Sequence, residues 1–179
     1  SAEHISLNFG LKPLLDDVTL YLSQGDKVGL IGINGTGKSS FLRVLAGQQP
    51  PDQGSVTRDP NVQVCFLPQN PPMEAGATVL EQVFAGFSPD TRALLDYEAK
   101  AMLTRLGLTD FAQPVGTLSG GQRKRVALAA VLLHPADVLI LDEPTNHLDS
   151  DMVLWLEDRL RKFNGGLIMV THDRYFLER

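Results

Sequence analysis

The segment Gly32-Ile33-Asn34-Gly35-Thr36-Gly37-Lys38-Ser39 carries the fixed residues of the phosphate-binding pattern G-x-x-x-x-G-K-[ST]. Its glycines let the backbone curl until successive N–H groups point at phosphate oxygens, and a helix starting there adds its positive end. Lys38 is expected to reach the β- and γ-phosphates as a point charge, and the Ser39 hydroxyl to ligate Mg²⁺. About a hundred residues later the apolar run Val138-Leu139-Ile140-Leu141 delivers Asp142-Glu143. Nucleotide hydrolysis needs a metal-side carboxylate and a group that orients or deprotonates water. Asp142 is expected to serve the metal, and Glu143, diverging from it, the water. Gln69 and His172 follow other strand ends, where either could approach Mg²⁺, the water or the γ-phosphate. On position alone, His172 reads more readily as a surface or capping residue, and Gln69 as a polar loop residue between prolines. Leu118-Ser119-Gly120-Gly121-Gln122 offers a second anion-binding nest at a helix start, or simply a helix cap. One nucleotide has no obvious need of two nests.

These groups have to be positioned by regular elements. Val28 to Ile31 reads as a buried strand entering the glycine loop, and Ser40 to Ala46 as a helix leaving it, stopped by Gly47. Residues 4–9 and 18–22 alternate with period two and predict strands. Further strands are expected over 62–67, 138–141 and 167–170. The sequence Thr78-Val79-Leu80-Glu81 has the capping-box form T-x-x-E and opens a helix to about Phe87. A second helix spans about 91–106 and stops at Gly107. Ser119 to Gln122 repeats the capping-box logic as S-x-x-Q, and a final helix covers 150–163 with Ser150 as its cap. Strands alternating with helices predict an α/β fold with a largely parallel core. Residues 74–115 read as a helical subdomain inserted between core segments 1–73 and 116–179, all within one domain.

The chain has 179 residues, 43% of them apolar, with 21% charged and a formal net charge of −5. That supports one real core, and the bulk charge does not point to nucleic acid or membrane surfaces. Cys65 lies in an apolar run without partners for zinc or a disulfide, as in a reducing compartment. No stretch has the length of a membrane span, and no secretory signal is visible. A start at Ser1-Ala2 and an end soon after a strand read as an excised fragment. The basic run Arg123-Lys124-Arg125 reads as a solvated helix face or as intramolecular pairing rather than as a nucleic-acid contact.

The glycine loop, Gln69, Leu118 to Gln122, Asp142-Glu143 and His172, in that order, resemble the ATP-binding-cassette (ABC) ATPases over essentially the whole chain. The resemblance implies an ABC-type P-loop NTPase: a RecA-like, mostly parallel α/β core, an N-terminal antiparallel β-subdomain and an inserted helical subdomain. It implies ATP and Mg²⁺ as cofactors. The ATP-binding set would be Phe9, stacked on adenine, with Gly32, Ile33, Asn34, Gly35, Thr36, Gly37, Lys38, Ser39, Ser40 and Gln69. Ser39, Gln69 and Asp142 would serve Mg²⁺, while Glu143, His172 and Lys38 would be catalytic. In this family the signature faces the nucleotide of a second cassette. Ser119, Gly120, Gly121 and Gln122 would therefore act on a partner's ATP, with Asp149 as the D-loop residue communicating across the pair.

Leu141-Asp142-Glu143-Pro144-Thr145-Asn146-His147-Leu148-Asp149 and Thr171-His172-Asp173-Arg174-Tyr175-Phe176-Leu177 are similar to the ABC-F subfamily, whose members mostly act on ribosomes in the cytoplasm. The chain then corresponds to the first of two cassettes. No membrane insertion is implied, and ribosome or tRNA contact would fall to segments outside this chain. The stretch from Gln69 to Ser119 is shorter than the helical arm such cassettes often carry, with an abrupt join at Ser88-Pro89-Asp90-Thr91. Rival readings are the energising subunit of a membrane transporter, a DNA-associated cassette and a catalytically dead regulatory cassette. The second lacks the expected cysteine sets or coiled-coil insertion, and intact Lys38, Asp142, Glu143 and His172 speak against the third.

Overall fold

The computed structural model describes residues 2–9, 12–20, 22, 25–30, 38–51, 53–57 and 60–171. Their elements are β1 (Ala2–Phe9), β2 (Lys12–Leu20), β3 (Lys27–Leu30), α1 (Lys38–Leu45), β4 (Gln53–Val56), β5 (Val64–Leu67), α2 (Val79–Val83), α3 (Pro89–Arg105), α4 (Gly120–Leu133), β6 (Val138–Asp142), α5 (Ser150–Arg161) and β7 (Gly166–Val170). By compactness the chain forms two units. One comprises Ser1–Pro68, Ala136–Pro144 and Phe163–Arg179, the other Gln69–Pro135 and Thr145–Lys162.

The first unit holds two sheets. One is antiparallel with strand order β2-β1-β4, and the other is parallel with order β3-β7-β6-β5. The β1–β2 pairing is longer than the sequence alternation suggested, and Pro13 lies inside β2 opposite Asn8. β4 was not anticipated, because Gln-Gly-Ser-Val carries no apolar alternation. It exists through its pairing with β1. In the parallel sheet, β7 is buried along its whole length and β6 from Leu139 onward, as their continuous apolar sequences require. Phe41, Leu42, Val44 and Leu45 of α1 pack into one core cluster with Ile140, Ile168 and Val170. Each such side chain contributes about 1.5–3 kcal/mol by leaving water. This packing seats the helix that follows the glycine loop on the strands that carry the carboxylates.

The second unit is helical. Thr78 caps α2 by accepting the Glu81 N–H at 3.1 Å. The helix ends by Phe84, earlier than the sequence suggested, and Gly86 takes a positive φ of 87°. Ser88 caps α3 and accepts from the Thr91 N–H at 3.2 Å, and Pro89 opens the helix where its missing N–H costs nothing. Gly107, with φ at 77°, follows its end. α4 packs against α2 and α3 and buries Val126, Ala127, Leu128 and Ala129 in succession. A helix apolar on all sides is a central one. α4 and α5 therefore cluster with the helical segment, and that unit is wider than residues 74–115. None of the described helices is long and apolar enough to cross a membrane.

Candidate functional site

In the parallel sheet, Leu30 lies opposite Val170, Val170 opposite Asp142, and Leu67 opposite Leu141. All four strands thus end at one edge, the edge where ligands bind in open α/β sheets. There β3 leads into residues 31–37, β6 into Glu143, β7 into Thr171 and β5 into Pro68. Asp142 and Glu143 are 2% and 5% exposed. The Glu143 N–H donates to the Val170 carbonyl at 2.8 Å, so strand pairing continues one residue past Asp142. Glu143 then turns the chain with φ at 51°. A non-glycine residue in this region is uncommon and is found where the surroundings hold it.

Lys38 opens α1, with Ser39 and Ser40 half-buried in its first turn. Phe9 ends β1 opposite Lys12. Gly32, Ile33, Asn34, Gly35, Thr36, Gly37 and His172 lie outside the described residues. The Asp142 carboxylate and the Ser39 hydroxyl belong to this one unit and are hard oxygen donors, the kind a Mg²⁺ ion takes alongside nucleotide phosphates. Among the described residues no group of three or more His, Cys, Asp and Glu side chains is assembled for a metal.

The remaining predicted residues lie in the helical unit. Ser119 and Gln122 form the full capping box: the Ser119 hydroxyl accepts the Gln122 N–H at 3.2 Å, and the Gln122 Oε1 accepts the Ser119 N–H at 2.9 Å. Ser119 and Gly120 are exposed, and a Cβ at Gly120 would meet nothing within 4 Å. Gly121 is different, because a Cβ there would lie 3.1 Å from Cβ and Cγ of His147. His147 sits at φ 65° in the turn between Thr145 and Asp149. The imidazole-bearing turn therefore lies against the start of α4, a contact that residue spacing does not reveal. Asp149 caps α5, with its Oδ1 accepting the Met152 N–H at 2.9 Å, so the cap is Asp149 and not Ser150.

The three basic residues after the nest each meet a backbone carbonyl. Arg123 donates through Nε and Nη2 to Leu118 at 3.3 Å, Lys124 through Nζ to Gln69 at 3.1 Å, and Arg125 through Nη1 to Leu106 at 2.9 Å. This is the intramolecular pairing expected of the run. Gln69 itself is exposed, and its described bond is through its main chain.

A parallel sheet whose ordered edge carries the buried Asp142-Glu143 pair, and a helix opened by the Ser119–Gln122 capping box, are the described features that fit a P-loop cassette. The family model described as ABC transporter matches residues 15–146. The chain belongs to that family and is an ABC ATPase cassette, a nucleotide-binding domain.

It is 40% identical to the uncharacterized ABC transporter ATP-binding protein YfmR of Bacillus subtilis (strain 168), over 99% of this chain and 34% of that protein. It is 38% identical to the energy-dependent translational throttle protein EttA of Mycobacterium tuberculosis (strain H37Rv), over 94% of this chain and 37% of that protein. The solved structure of an ATP binding subunit of an ABC transporter superposes with a TM-score of 0.85, covering 99% of this chain and 81% of that one; at 23% identity it speaks for the fold alone. The chain spans about a third of the length of these curated relatives. The YfmR alignment has 215 positions but covers 99% of 179 residues, so about 38 of its positions have no counterpart here. Relatives thus carry additional residues inside the aligned span.

Proposed function

We propose that the chain is one half of an Mg²⁺-dependent ATP-hydrolysing pair, closed by ATP against a second cassette and reopened by hydrolysis. The observation that carries this reading is the buried Asp142-Glu143 pair at the sheet edge where β3, the strand that precedes the glycine segment in sequence, also ends. In it, Gly32 to Gly37 cradle the phosphates through backbone N–H groups, and Lys38 neutralises charge on the β- and γ-phosphates. Phe9 stacks on the adenine, with Ser40 close to the phosphates. Ser39 and Asp142, with Gln69, hold Mg²⁺, which when bound screens the charge developing on the transferred phosphoryl group. Glu143 takes the water's proton or fixes its approach, and His172 supports the γ-phosphate end. Ser119, Gly120, Gly121 and Gln122 serve the nucleotide of the partner cassette, and Asp149 lies at the junction between the two. The nest at the start of α4, exposed at Ser119 and Gly120, suits a ligand brought by another molecule.

We further propose that the cassette belongs to an ABC-F type, ribosome-associated factor of the cytoplasm. Residues 141–149 support this reading, as does the similarity to EttA, a protein named for translation. The full-length gene product carrying Glu143→Gln tests it. Supplied with ATP, the variant should sediment with ribosomes and release on ATP removal. Recovery with a membrane protein instead would transfer the cassette to transport.

A further inference from the structure

We propose that Lys124 is a positioning residue. Its ammonium fixes the main chain at Gln69 to the start of the second turn of α4, so that Gln69 and the Ser119–Gln122 nest are held as one piece. The proposal rests on the reading of both segments as nucleotide-facing.

Lys124 is only 5% exposed, although it lies within a basic triplet on a helix whose neighbour Arg123 is exposed. Burying an ammonium is costly unless its N–H groups find acceptors, and lysine is rarely buried without them. Here Nζ donates to the Gln69 carbonyl at 3.1 Å, a contact between residues 55 apart in sequence. A charged donor makes the stronger class of hydrogen bond, and burial shields it from competing water. Gln69 is the first residue of the helical unit, directly after Pro68, the last residue of the sheet unit before the chain crosses. Its own side chain is exposed and therefore takes its aim from its main chain. Lys124 stands five residues after Ser119, whose side chain is already locked by the capping box. Arg123 and Arg125 hold the carbonyls of Leu118 and Leu106, so the start of α4 is fastened on both sides of Lys124. A shift of the Gln69 backbone therefore pulls on a helix turn that cannot yield locally, and the nest moves with it.

Hydrogen exchange on the 179-residue chain, without nucleotide, tests the coupling directly. Lys124→Met keeps the length and packing of the side chain but removes its donors. The amides of Gln122 and Arg123, which bond to Ser119, should exchange faster, while the middle of α4 keeps its protection. Lys124→Arg, which retains donors, should restore slow exchange. With a second cassette present, Lys124→Met should lower kcat for ATP roughly tenfold while KM changes little, since misplacing a positioned group affects the reacting geometry more than binding. Wild-type exchange at Gln122 and Arg123 in Lys124→Met would overturn the proposal, as would failure of Lys124→Arg to restore it. Should Lys124→Met not fold, Lys124→Arg and Lys124→Gln bear the same comparison. If the wild-type chain binds no nucleotide, the reading of the site fails, yet the exchange result still decides the role of Lys124.

Discussion

At the scale of single residues, Glu143 concentrates the proposed chemistry. It is buried, held by its N–H on the Val170 carbonyl, and takes a left-handed φ of 51°. Glu143→Gln keeps the shape and removes the base. ATP binding should survive while turnover falls by about 10²–10⁴-fold, the usual contribution of a positioned general base. Filter binding and phosphate release measure the two quantities separately, and unchanged turnover would reduce Glu143 to a structural role. His134 is a second residue with a readable consequence. Its ring stacks on Phe87 with centroids 4.0 Å apart. Burial lowers its pKa, opposed by a hydrogen bond with the Ala85 backbone. Because the folded pKa lies below the unfolded one, the unfolded chain binds the proton more readily. The stability from this group is present above the unfolded value of about 6.5 and is lost as pH falls through the folded pKa. His134→Phe should therefore flatten the fall of the denaturation midpoint on acidification below about pH 6.5, with little effect at pH 8.

At the scale of elements, caps and turns hold the site segments. Asp149 combines a proposed D-loop role with the cap of α5, so Asp149→Ala should cost about 1 kcal/mol of stability apart from any effect on turnover. Asp149→Ser retains a capping oxygen and separates the two effects in a denaturant titration. Gly165 precedes β7, and a Cβ there would collide with the Asp137 carbonyl oxygen. That oxygen already accepts the Gly166 N–H at 2.9 Å and cannot move without disturbing the β6–β7 pairing. Gly165→Ala should destabilise the protein by about 1–3 kcal/mol or more, visible as a lower denaturant midpoint. Element legibility followed local signals. The continuous apolar runs of β6 and β7 and the S-x-x-Q start of α4 were readable, since each depends on neighbours within a few residues. β4 was not, because its only reason to be a strand is its pairing with β1.

At the scale of the molecule, the proposed phosphate-binding segment and the carboxylates Asp142 and Glu143 fall in one unit, and the proposed Ser119–Gln122 nest falls in the other. If the nest serves a partner's nucleotide, association must depend on ATP. Sedimentation velocity of Glu143→Gln at increasing concentration should show a pair with ATP and Mg²⁺ and a monomer without nucleotide. A sedimentation coefficient indifferent to ATP would break the proposed pairing.

The amino-acid sequence by itself determined the chemistry on offer and most of the α/β order. Glycine spacing, a lysine and hydroxyl at fixed offsets, carboxylates after an apolar strand, and capping residues all act over a few positions. The tertiary structure alone decided how those groups are held. It assigned α4 and α5 to the helical unit, set His147 against Gly121, and sent Lys124 to the carbonyl of Gln69. Most of these contacts join residues that are distant in the chain. They arise from packing, where burial forces each polar group to find the acceptor that happens to lie within reach.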